Sequence, residues 1–153
     1  MRSESTSIKS PKHKMKKLLF TSLILLIIAC TKEEVKLEAF SPEAFAYDLG
    51  EIWEINALVN VKGFEQRENN DNTFEASINL SADIKSPDGK VIEGVYDDII
   101  NVTHHEEILD IPLEVQFELD TTYALGKYLI IIHITDEFSN NSITTNVEVE
   151  LSE

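Results

Sequence analysis

The chain has 153 residues and a formal net charge of −15, with 28 acidic against 13 basic side chains. Six of those basic residues (Arg2, Lys9, Lys12, Lys14, Lys16, Lys17) and a single acidic one (Glu4) lie before position 30, which leaves 7 cations against 27 carboxylates and a net charge of −20 from Cys30 onward. A surface this acidic repels phosphate backbones and anionic head groups, which argues against a nucleic-acid partner; its plain physical consequence is solubility and mutual repulsion between copies.

In chain order, Met1 to His13 is a polar leader. Lys12, Lys14, Lys16 and Lys17 form a basic front before the apolar run Leu18 to Ala29, and the small residue Ala29 precedes Cys30, the only cysteine. This order of basic, apolar and small residues is that of a secretory signal, for which translation from Met15 would give an ordinary length. A membrane-spanning helix is the competing reading. At about 1.5 Å rise per residue, Leu18 to Ala29 reaches roughly 18 Å, short of the roughly 30 Å hydrocarbon core.

Ile27-Ile28-Ala29-Cys30 resembles the lipobox of bacterial lipoproteins. The resemblance implies cleavage before Cys30, fatty acylation of its sulfur and attachment to the membrane through that residue. The alternative is an ordinary signal peptide followed by an unrelated cysteine. One acyl chain binds a bilayer only marginally, at about 0.8 kcal/mol per buried methylene, so the multiple chains implied by the family would hold the protein durably. Thr31-Lys32-Glu33-Glu34 resembles the lysine-plus-acidic tag that directs some lipoproteins to the outside of the outer membrane. With its one sulfur acylated, the domain would have no internal disulfide and would depend on its core alone.

Cys30 to Glu153 is long enough for one ordinary domain and too short for two. The expected organisation is a leader and signal over 1–29, a lipidated tether over 30–41 that moves freely beside the membrane, and a folded domain over 42–153. Ser41-Pro42 is expected to break regular structure, and Ala44 to Tyr47 to form a short edge strand. Trp53, Ile55, Ala57, Val59 and Val61 then share one face against Glu54, Asn56 and Asn60, with Leu58 alone breaking the alternation. Gly63 to Asn72 reads as a loop. Phe74, Ala76, Ile78, Leu80, Ala82 and Ile84 alternate with polar residues and so lie on one sheet face.

Ser86-Pro87-Asp88-Gly89 is a hairpin turn, returning through Lys90 to Ile92. Val95 to Val102 is expected as a separate, weaker strand and His104 to Glu107 as a polar loop. Pro112 fits a strand start, and Leu113, Val115, Phe117 and Leu119 alternate after it. Tyr128 to Thr135 is apolar on both faces, and Ile143 to Leu151 alternates to the end. No amphipathic helix of useful length is predicted.

Strands at short, regular spacing, each with one apolar face, predict an all-β sandwich of about seven antiparallel strands. Leu125-Gly126-Lys127-Tyr128 leading to Ile134-Thr135-Asp136 resembles the penultimate strand of bacterial immunoglobulin-like domains, where a glycine turn precedes a tyrosine and Thr-Asp closes the strand. In the antibody-type pattern a disulfide cysteine stands two positions after that tyrosine; Ile130 occupies the place here, so an apolar contact is expected instead.

Chemistry-bearing patterns are sparse. His104-His105-Glu106-Glu107 supplies ligand types, but neighbours in an extended segment point to opposite faces, so at most two could reach one ion. Glu68 and Asp71 in the 63–72 loop, with Asp97 and Asp98, offer oxygen ligands for calcium, against a default of loop solvation. No Gly-x-Ser-x-Gly elbow, His-Glu-x-x-His pair or clustered-glycine phosphate cradle occurs, and no cofactor is expected.

One feature exceeds what a simple sandwich needs. If Tyr128, Ile130, Ile132 and Ile134 fill the core, then Leu129, Ile131 and His133 point outward, covered either by flanking strands and Phe138 or by a partner. Sheet edges offer a second docking mode, by strand addition. The expected role is therefore a noncatalytic interaction module on the cell envelope with a protein partner. Carbohydrate binding is the alternative and would need surface aromatics for sugar stacking; a small hydrolase is third.

Overall fold

A computed structural model describes residues 36–152. The signal, the lipobox and Cys30 lie outside the described residues. Eight strands make up the fold: β1 (Glu38–Asp48), β2 (Ile52–Lys62), β3 (Arg67–Glu68), β4 (Phe74–Lys85), β5 (Val91–His104), β6 (Ile111–Asp120), β7 (Gly126–Asp136) and β8 (Ser142–Leu151). Among the described residues there is no helix, and every strand pairing is antiparallel.

The strands form two sheets. One has the order β1-β2-β6; in the other β4 lies between β5 and β7, β8 follows β7, and the short β3 pairs with the start of β4. The sheets pack face to face as the expected antiparallel β-sandwich, because each main strand turns one apolar row inward. Trp53, Ile55, Ala57, Val59 and Val61 of β2 are buried, as are Leu113, Val115, Phe117 and Leu119 of β6. They meet Ala76, Ile78, Leu80, Ala82 and Ile84 of β4 and Tyr128, Ile130, Ile132 and Ile134 of β7. Ile130 is fully buried, the apolar occupant expected where a bridging cysteine would stand.

Tyr128 makes the corner for which its strand suggests it. Its ring is buried and its hydroxyl donates to the Ala124 carbonyl at 2.8 Å, tying the β6–β7 loop to the start of β7. Burial, with Asp88 nearby, pushes the phenol above its usual range. Gly126 opens the strand at φ 136°, and a Cβ there would stand 3.1 Å from Pro87 Cγ, so both backbone and space call for glycine. At the far end of β7, the buried Asp136 carboxylate accepts from the Glu65 and Phe138 amides at 2.7 and 2.9 Å and from the Ser139 hydroxyl. It joins the β2–β3 connection to the β7–β8 turn.

Three expectations are corrected. Ser41-Pro42 does not interrupt the chain, and the folded part begins before residue 42: Leu37 already packs on the core and β1 runs from Glu38 to Asp48. The pair register passes from Phe40↔Asn60 to Glu43↔Leu58, so Ser41 and Pro42 together oppose one residue in a bulge, with Ser41 at φ 52°. A bulge suits proline because the ladder asks no N–H of it. Val91-Ile92 and Val95 to Val102 belong to a single strand, β5, which runs through His104. Glu93 to Val95 bulge opposite Asp83, with Gly94 at φ 66°. Finally, the 63–72 loop contains the short strand β3.

Candidate functional site

The sandwich has two outer faces, and the side chains on each follow from strand parity and register. On the β5-β4-β7-β8 sheet, Leu129, Ile131 and His133 do point away from the core and are half-buried. Leu129 stands between Lys85 of β4 and Glu148 of β8, Ile131 between Asp83 and Asn146, and His133 between Ser81 and Thr144. His133 links across the sheet: Nε2 lies 3.0 Å from Asp83 Oδ2 and Nδ1 lies 3.2 Å from Thr144 Oγ1. One neutral tautomer, with Nε2–H donating to Asp83 and Nδ1 accepting from Thr144, satisfies both contacts.

The other oxygen of Asp83 accepts from the Gly94 amide at 2.8 Å. That amide bond first, and His133 second, hold the Asp83 carboxyl below its usual range. Carboxylate, imidazole and hydroxyl stand in the order of a hydrolytic triad, but here they join β4, β7 and β8 across the outer face of one sheet. The contacts lock three strands and the β5 bulge together.

The calcium candidates are not gathered. Glu68 lies on β3 opposite Phe74, Asp71 in the following turn, and Asp97 and Asp98 on β5 opposite Ser81 and Leu80. The Asp71 carboxylate accepts from the Thr73 hydroxyl and amide at 2.7 and 3.2 Å, and these bonds, the hydroxyl's above all, lower its pKa. Asp98 Oδ1 accepts from the adjacent Ile99 amide, and Asp98 lies beside Tyr96, whose phenol is pushed up mainly by burial. Among the described residues no three His, Cys, Asp or Glu side chains come together to hold a metal. His104 ends β5, opposite Phe74.

A cleft of about 490 Å³ opens at one end of the sandwich, lined by Ser86, Pro87, Lys90, Thr122, Tyr123 and Tyr128 among others. Several of its polar groups already serve their own turns. The Ser86 hydroxyl bonds Asp88 and the Lys90 carbonyl, and Thr122 bonds Asp120.

The β1-β2-β6 sheet differs. Ala44 and Ala46 pack on the core, so Phe45 and Tyr47 project outward, 44% and 51% exposed, beside Leu58 at 40%. The bulge at Ser41-Pro42 reverses strand parity, which brings the even-numbered Phe40 onto the same outer face as Phe45 and Tyr47. Along β2, Glu54 lies between Tyr47 and Glu118, Asn56 between Phe45 and Gln116, and Leu58 between Glu43 and Glu114. Asn56 Nδ2 donates to Glu54 at 2.9 Å, while its Oδ1 is buried without a hydrogen-bond partner.

The ends of this face differ in charge. Near Phe40, Lys62 pairs with Glu38 at 3.3 Å and its ammonium sits 5.3 Å from the ring centroid. Near Tyr47, Glu54 directly opposes Glu118, a like-charged cross-strand pair. Sequence alone hides this face, because Ala44 to Tyr47 reads there as only a short edge strand. The available signal was the alternation of Ala44 and Ala46 with Phe45 and Tyr47.

No family model matches the chain, and no curated protein matches it. Solved structures similar to it include the X-ray structure of a structural-genomics target, SoR45, with 8% identity and a TM-score of 0.39, over 78% of this chain and 90% of that one. A protein from Bordetella pertussis described as ApaA matches with 11% identity and a TM-score of 0.37, over 76% of this chain and 93% of that one.

Proposed function

We propose that the protein is a lipid-anchored component of the bacterial cell envelope whose sandwich is a noncatalytic module that binds a protein partner. The observation that carries this reading is the position of Cys30, the only sulfhydryl in the chain, directly after a basic front, an apolar run and a small residue. Leu37 already packs on the sandwich, so only a short charged segment would separate domain from lipid. Lys32-Glu33-Glu34 favours the outer membrane and its external surface.

The test is Cys30→Ser with fractionation and labelled-palmitate incorporation. The expected result is loss of label and release of the protein from membranes. Unchanged retention would overturn the anchor.

A second reading, glycan binding, is favoured by the exposed Phe45 and Tyr47 on an open sheet face, since planar rings can stack on sugar rings. Shifts of β1 and β2 amide resonances on titration with neutral oligosaccharides would support it.

A further inference from the structure

Resting on the reading of the sandwich as an interaction module, we infer that the outer face of the β1-β2-β6 sheet docks a cationic, partly apolar peptide segment. A lysine or arginine of the partner sits over Glu54, between Tyr47 and Glu118, and its neighbouring apolar side chain lies on Phe45 and Leu58. The face shows the arrangement complete at one end and unfilled at the other. At Phe40 the ring carries an ammonium, Lys62, which also meets a carboxylate, Glu38. Three residues past the bulge the same edge row continues as Phe45 and Tyr47, but Asn56 and Glu54 stand opposite them and no ion pair reaches Glu54 or Glu118 among the described residues.

Directly opposed carboxylates repel, and a cation placed over an aromatic face is attracted by the ring as well. A guanidinium or ammonium at this position would therefore relieve the repulsion of Glu54 and Glu118 and gain the Tyr47 ring. Glu43 and Glu114 flank Leu58, so the carboxylates continue around an apolar centre. A second copy of the chain is a poor occupant, because it would set carboxylates against carboxylates on a domain already strongly negative.

The test uses the full chain in nonionic detergent and a short synthetic peptide of alternating arginine and leucine. Binding is followed by fluorescence anisotropy and mapped by amide chemical shifts. Shift changes are expected on β1, β2 and β6 around Tyr47, Asn56 and Gln116. Phe45→Ser with Tyr47→Ser, which leaves charge untouched, should weaken binding about tenfold or more. Glu118→Gln should weaken it several-fold, whereas Glu148→Gln, removing an equal charge from the other sheet, should leave it within about twofold.

Equal losses for Glu118→Gln and Glu148→Gln would show diffuse attraction and overturn the proposal. So would unchanged affinity in the Phe45/Tyr47 double variant, absence of peptide binding, concentration-dependent dimerisation through this face, or a neutral oligosaccharide binding it in place of the peptide. All these variants are exposed, and thermal unfolding checks that they fold. Fractionation of Cys30→Ser reads the anchor separately, so either conclusion can fail without the other.

Discussion

The two outer faces are built from the same kind of strand and finish differently. On the five-strand face, a carboxylate, an imidazole and a hydroxyl close a chain of contacts across β4, β7 and β8, and the apolar side chains beside them are half-buried. On the three-strand face, Phe45, Tyr47 and Leu58 stay exposed, an amide oxygen is left unpartnered, and two glutamates oppose each other. The difference shows that an outward apolar residue points to a partner only where its lateral neighbours leave it uncovered. Leu129 and Ile131 are the more conspicuous in sequence, yet Phe45 and Tyr47 are the more accessible.

Substitutions can break or sharpen this contrast. The largest effect is expected at Asp136, the buried carboxylate at the end of β7 in the five-strand sheet. Asp136→Ala leaves two amides and a hydroxyl without their acceptor and should cost about 3 kcal/mol in denaturant unfolding. Next, Leu129→Ser with Ile131→Ser should cost about 2 kcal/mol, because each loses half-buried apolar area. The matching pair Phe45→Ser and Tyr47→Ser should stay within about 0.5 kcal/mol each. Equal losses from the two pairs would erase the distinction between covered and open faces.

A smaller effect is expected from pH. Asp83 has a folded-state pKa below its ordinary 3.8, so it contributes stability that is present above the unfolded value and is lost as pH falls through the folded one. Asp83→Asn should therefore flatten the acid limb of the stability curve below about pH 4, with little change in its shape near neutrality. A variant that keeps the full acid dependence would show that the Gly94 and His133 contacts do not hold in solution. The smallest effect is on the open face. Glu118→Lys replaces a repulsion with a pairing to Glu54 and should stabilise the fold by a few tenths of a kcal/mol to about 1 kcal/mol. A destabilised Glu118→Lys would mean that the like charges do not interact.

Most core positions were legible because period-two alternation is a local property. The inward rows of β2, β4, β6 and β7 lie where alternation put them, and Tyr128 and Ile130 take the buried roles that their strand suggested. Two of the misses share one cause. At Ser41-Pro42 and again at Glu93 to Val95, a bulge inserts residues against a partner strand, one extra residue that reverses parity in β1 and two that keep it in β5. Proline and glycine there read locally as breaks, since only the opposing strand shows that pairing resumes beyond them. The link between Asp83 and His133 was equally hidden, because fifty residues separate its ends.

What the amino-acid order determined by itself was an all-β chain with one inward row per main strand, enough to require two packed sheets, because alternation is fixed by the pleat of each strand alone. The tertiary structure decided which outward rows are closed and which stay open. That depends on which strands become neighbours and in what register, and a side chain's lateral cover comes from residues that no single strand carries.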